Sequence, residues 1–125
     1  MLQGGYRVYY LVTGDVIVGH CVVAPGGRRL SVSTKNDIVL GPYFIASEHR
    51  GKGYAKVLVG MTLRDCTYKY KNAFDCLHID NHASIKTSEA CGFVQDGRRL
   101  NVVGVMRKLV LNENGNNIIY RYTRK

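Results

Sequence analysis

The chain has 125 residues, 46% of them hydrophobic, and a formal net charge of +9. That length allows one domain (1–125) with a core of its own and leaves no room for two. No apolar run approaches a membrane span and the N-terminus lacks a secretory pattern, so a cytoplasmic protein without membrane attachment is expected. The charge calls for an anionic partner. No aromatic-basic stacking pattern accompanies it, which argues against nucleic acid. Cys21, Cys66, Cys76 and Cys91 show no Cys-x-x-Cys spacing, and His20, His49, His78 and His82 are scattered, so neither a disulfide framework nor a metal site is expected.

In chain order, Tyr6–Val12, a turn at Thr13–Asp15 and Val16–Val23 predict a β-hairpin. Gly26–Asn36 is the expected long loop, and Ile38–Ala46 the next strand. A glycine-rich turn, Glu48 to Gly53, then opens a helix predicted from Tyr54 to about Lys71. Tyr54, Val57, Leu58 and Met61 would form its apolar stripe, widened by Val59 and Leu63. Asp75–Ile79 is a short strand. Asn81 is a good N-cap for a helix over Ser84–Cys91, with Gly92 in the left-handed position after it and Phe93 starting another strand. Gly104–Leu111 and Asn117–Thr123 flank Asn114-Gly115, a hairpin signal.

The turn His49-Arg50-Gly51-Lys52-Gly53 carries the most chemistry. A glycine-rich turn feeding a helix N-terminus lets backbone N–H groups converge on an anion, with the positive end of the helix dipole behind them. Gly51 and Gly53 allow a phosphate close to the backbone, and Arg50 and Lys52 add charge. Without a ligand the same residues make a basic surface turn. A nucleotide P-loop would need Gly-Lys-Ser/Thr, whereas Gly53 and Tyr54 follow Lys52; a dinucleotide fingerprint would need glycine at position 56, which is Lys.

What remains, Arg50-x-x-Gly53-x-Ala55, resembles the pyrophosphate-binding motif of the GCN5-related N-acetyltransferases (GNAT). Asn81-x-x-Ser84, closing on Gly92-Phe93, resembles that family's second signature, in the family's order and at its roughly 30-residue spacing. The Tyr6–Val23 hairpin, with Val18-Gly19-His20, resembles its second and third strands. The resemblance implies an α+β, acyl-CoA N-acyltransferase fold: a mixed, mostly antiparallel sheet with helices on its faces. It implies acetyl-CoA as acyl donor, no metal, and transfer to a primary amine, small-molecule or peptide. Arg50, Gly51, Lys52, Gly53, Tyr54 and Ala55 would hold the pyrophosphate. Tyr43, Phe44 and Ile45 would pair with the pantetheine arm, and Asn81 and Ser84 would hold its far side.

Two departures qualify the resemblance. The family begins with a strand and two helices that cover the acceptor side, yet only about five residues precede Tyr6 here. A fragment of a longer chain, a shortened variant, or a homodimer that supplies the cover would account for this. The family's usual acid is a tyrosine seven residues after the motif's Asn, and Ser88 stands at that position. A serine hydroxyl is a far poorer acid than a phenol. The Ile38–Ala46 strand offers no carboxylate or histidine, which leaves His78 as the expected catalytic group. The alternative is a non-catalytic acyl-CoA-binding or regulatory domain of the same fold.

Overall fold

The computed structural model describes residues 5–27, 30, 32–104 and 108–125. Its elements are β1 (Arg7–Thr13), β2 (Val16–Pro25), β3 (Asp37–Ile45), α1 (Tyr54–Asp65), β4 (Asn72–His78), α2 (His82–Ala90), β5 (Val94–Val103), β6 (Lys108–Leu111) and β7 (Asn117–Thr123). The strands form one seven-stranded sheet in the order β1-β2-β3-β4-β7-β5-β6. Among the described residues every pairing is antiparallel except β3 with β4.

The expected hairpin forms. Thr13 pairs with Val16 across a two-residue connection that begins at Gly14, whose φ of 58° places it in the left-handed region. β3 follows a loop fastened by Asp37: its Oδ2 accepts from the Thr34 N–H at 2.8 Å and its Oδ1 from the Asn72 N–H at 3.2 Å.

Two expectations about α1 are corrected. The helix stops at Asp65, not near Lys71, because Cys66 turns to extended backbone (φ −56°, ψ 129°). The departing chain is then tied back: the Thr67 N–H donates to the Tyr9 hydroxyl at 3.0 Å, and the Tyr70 hydroxyl donates to the Leu63 carbonyl at 2.6 Å. No glycine or proline marks this stop, which is why periodicity ran past it. The buried face is Leu58, Val59, Thr62 and Leu63, while Val57 and Met61, assigned to the stripe, are 45% and 37% exposed. Thr62 is tolerated inside because its hydroxyl donates to the Leu58 carbonyl at 2.8 Å.

The third correction is topological. β6 and β7 flank Asn114-Gly115 but do not pair; β6 pairs with β5, and β7 crosses to lie between β4 and β5. Residues 112–115 instead form a turn, with the Gly115 N–H bonded to the Asn112 carbonyl at 2.8 Å and the Asn114 N–H to the Asn112 side chain at 2.9 Å. Gly115 is required by close approach, since a Cβ there would stand 2.3 Å from the Leu100 carbonyl oxygen. The dipeptide was a turn signal and not a hairpin signal.

Both helices pack on one face of the sheet, where Val18, Cys21, Leu40, Leu58, Val59, Leu63, Ala73 and Phe93 form the larger core. On the opposite face Leu30, Val39, Phe74, Leu100 and Ile119 form a smaller one. Burying the valine, leucine and phenylalanine side chains of the larger core, at roughly 1.5–3 kcal/mol each, is the main force holding the helices to the sheet. No described helix is long and apolar enough to cross a membrane.

Candidate acyl-donor cleft

The site is built by the way β3 leaves β4. Their parallel pairing runs from Asp37↔Asn72 to Leu40↔Asp75 and stops, although both strands continue. A bulge at the same point sets Gly41 and Pro42 of β3 opposite Val22 of β2, between the pairs Val23↔Leu40 and Cys21↔Tyr43. An extra residue inverts the alternation beyond it. Ile38 and Leu40 face the helices before the bulge, and Tyr43 and Ile45 face them after it.

The wedge between the parting strands is a cleft of about 380 Å³ lined by Gly41, Pro42, Tyr43, Asp75, Leu77, Asn81 and Ser84, among others. Tyr43 is half-buried, its hydroxyl donating to the Ser84 carbonyl at 3.4 Å. Burial pushes its phenol above the usual range. Asn81 caps α2 as expected, accepting the Ser84 N–H on its Oδ1 at 3.3 Å. The far end of α2 closes in a Schellman arrangement: Gly92 has φ 97°, its N–H bonds the Glu89 carbonyl, and the Phe93 N–H bonds the Ser88 carbonyl.

The cradle follows β3 directly. After a single 3-10 turn at Ser47–His49, Gly51 (φ 78°) and Gly53 (φ 79°) both take left-handed backbone, and Gly53 is the N-cap of α1. A Cβ at either would meet nothing within 4 Å, so conformation, not crowding, calls for glycine there. Gly53 brings no side-chain cap, and the first N–H groups of α1 have no intrahelical partners. Lys52 is exposed. Arg50 is partly committed elsewhere: its Nε donates to the Ile45 carbonyl at 2.9 Å and its guanidinium lies 5.2 Å from the Phe44 ring centroid. Phe44 points to the face away from the helices, beside His20.

His78 sits at the exposed end of β4, outside the residues that line the cleft. Its Nδ1 accepts from the Asp80 N–H at 3.1 Å. The carboxylate that does line the cleft is one that no sequence motif singled out. Asp75 is 4% exposed and stands at the last β3–β4 pair. Its Oδ2 accepts from the Ser88 hydroxyl at 3.0 Å, and Ser88 is fully buried. Desolvation pushes the Asp75 carboxyl up to about 7, against the hydrogen bonds from Ser88 and the Cys76 N–H. Strand alternation pointed Asp75 inward, but a lone aspartate in an apolar strand carries no signal of its partner 13 residues later. No group of histidine, cysteine or carboxylate side chains among the described residues could hold a metal ion.

The acetyltransferase (GNAT) family model matches residues 2–93. No sequence of a functionally curated protein is similar enough to match. Among solved structures, a ribosomal-protein-alanine N-acetyltransferase of Brucella melitensis superposes with TM-score 0.72 at 18% identity, over 96% of this chain and 70% of that one. A spermidine N-acetyltransferase variant of Vibrio cholerae gives 0.71 at 16%, over 97% and 67%. A candidate acetyltransferase of Salmonella typhimurium, solved with its cofactor acetyl-CoA, gives 0.69 at 19%, over 95% and 65%. At such identities the likeness establishes the fold and carries no acceptor across. With the family model covering both signature segments, the chain belongs to the acetyltransferase (GNAT) family.

Proposed function

We propose that this chain is an N-acetyltransferase that moves an acetyl group from acetyl-CoA to a primary amine. The observation that carries the proposal is the continuity of cradle and cleft. Two left-handed glycines open α1 at the end of β3, and the cleft begins where the same strand leaves β4. An anion at the α1 N-terminus would be held by backbone N–H groups, Lys52 and the helix dipole. The arm attached to it would run back along Ile45, Phe44 and Tyr43, with Asn81 and Ser84 across the cleft. Its reactive end would then reach Gly41 and Asp75, where the β3–β4 pairing ends. Pro42 has no N–H, so oxyanion donors would come from the backbone on either side of it.

The neighbours named for spermidine and for a ribosomal-protein alanine both present amines, which supports an amine acceptor without choosing one. The test has two stages. Calorimetry should show CoA binding that Gly53→Val abolishes, because a branched residue resists a φ of 79° and would reshape the cradle. Thiol release from acetyl-CoA should then rise when amines are added. Binding without amine-dependent release would identify a non-catalytic acyl-CoA-binding domain and refute transferase activity.

A further inference from the structure

Asp75 is the one buried carboxylate in the wall of the cleft that the proposed CoA contacts do not use. Around it stand Cys21 of β2, Tyr43 of β3, Tyr120 of β7 and Ser88 of α2; α1 contributes uncharged Leu58 and Thr62 to the same core. Burial pushes the Cys21 thiol up to about 12 and the two phenols upward, so these neighbours stay neutral. The ion pairs of the described residues are Arg64–Asp65, Arg98–Asp96 and Arg121–Asp96, so no described cation pairs with Asp75. A structural role would be met more cheaply by an apolar residue, since an unpaired buried carboxylate costs stability. The single side-chain donor to it among the described residues is Ser88, at the position where the family's acid tyrosine is expected. Ser88 cannot reach the cleft, being fully buried, whereas Asp75 lines it.

We infer that Asp75, oriented by Ser88, is the proton-transfer group for the departing CoA thiolate and takes over the task of the absent tyrosine. The inference rests on the acetyl-transfer proposal. The acceptor nitrogen forms the new C–N bond to the acetyl carbon, and the C–S bond breaks with its electron pair going to sulfur. The Asp75 carboxylic acid gives its proton to that sulfur. The proton shed by the nitrogen returns through water to the carboxylate, leaving amide and free thiol. A carboxyl that titrates near neutrality is a stronger acid than a thiol of ordinary pKa about 8.5, so the transfer runs downhill. Ser88 is the positioning residue: its hydroxyl fixes one carboxyl oxygen and favours the charged form.

One experiment needs no acceptor. With CoA bound, the thiolate absorbance should titrate about one pH unit higher in the parent than in Asp75→Asn, because an Asp75 carboxylate opposes a second negative charge beside it. Identical midpoints would place the sulfur away from Asp75 and overturn the inference. The kinetic arm uses acetyl-CoA with spermidine, a lysine-containing peptide and a peptide with a free N-terminus. In the parent, kcat should fall as pH rises through about 7, as the acid form is lost. Asp75→Asn should lose that limb and at least 100-fold in kcat with CoA affinity kept. Ser88→Ala, a smaller perturbation should the Asn variant not fold, should keep the limb and move it up by about one pH unit. A limb unmoved in Ser88→Ala or retained in Asp75→Asn refutes the assignment. Should no amine be acetylated by the parent, acetyl transfer itself fails, while the thiol titration still decides where Asp75 faces.

Discussion

Asp75 makes the fold pH-sensitive in a direction opposite to most aspartates. Its folded carboxyl is pushed from an ordinary 3.8 up to about 7 by burial, so the folded chain holds a proton that the unfolded chain has released. The stability that Asp75 contributes is therefore fully present below about pH 4, falls as pH rises through the window, and levels off above about 7. A rise from 3.8 to about 7, at about 1.4 kcal/mol for each tenfold change in acidity, gives a full loss of about 4 kcal/mol. Of this, about 2–3 kcal/mol falls between pH 5 and 8. That is a large share of the 5–15 kcal/mol by which domains of this size are stable.

The interval from pH 5 to 8 is a clean one for the measurement. Glu48, Asp65 and Asp96 are all held below their ordinary values by hydrogen bonds, so they change charge at lower pH. Histidine contributions are common to parent and variant and cancel in the difference. Urea midpoints at constant ionic strength, for the parent and for Asp75→Asn, should diverge steadily across this range. The asparagine keeps a hydrogen-bond acceptor for Ser88 and carries no charge at any pH. Parallel profiles would mean that Asp75 stays ionised in the fold, and both the stability account and the proton-transfer role would fall together.

Three further outcomes follow from the same geometry. Asn81→Ala should cost about 1 kcal/mol in urea unfolding through the lost Ser84 cap and also weaken CoA in calorimetry; a variant that melts earlier yet binds CoA normally makes Asn81 a cap and nothing else. Gly92→Ala should cost about 1–2 kcal/mol, since φ 97° strains any L-residue and its Cβ would meet the Tyr122 ring at 3.4 Å; an unchanged midpoint would contradict the Schellman closure. His78→Ala should leave the pH–rate profile on top of the parent's, because the imidazole lies outside the cleft lining; a flattened neutral limb would restore it as the base expected from the sequence.

The sequence disclosed this molecule where one residue type answers one local need. Gly92 marks a left-handed position and Asn81 marks a cap, and both lie where their chemistry predicts. What stayed hidden depends on contacts between distant segments. The end of α1 is set by the hydroxyl of Tyr9, 58 residues from its partner Thr67, and the path of β7 by a long-range choice between two neighbouring strands. The rotation of α1 follows from which surface the sheet offers: Val57 and Met61 fit a stripe by spacing, yet Thr62 is buried because Leu58 accepts its hydroxyl.

The same limit explains why His78 drew notice and Asp75 did not. A histidine is conspicuous because its ordinary titration lies near neutrality, whereas an aspartate becomes interesting only when its surroundings move it. Those surroundings are assembled from β2, β3, β7 and α2, and no local window of sequence contains them. The replacement of a tyrosine by Ser88 looks like a lost acid when that position is considered alone. Set against Asp75 at 3.0 Å, it becomes an exchange, in which the helix keeps a hydroxyl to orient a carboxyl and the strand carries the proton. A tyrosine at position 88 would have to find room where the serine is fully buried, and it would take the space from which Ser88 steadies Asp75. The two solutions exclude each other sterically. Ser88→Tyr should accordingly destabilise the fold without raising turnover, and a folded tyrosine variant with faster thiol release would show that the helix, and not the strand, supplies the acid.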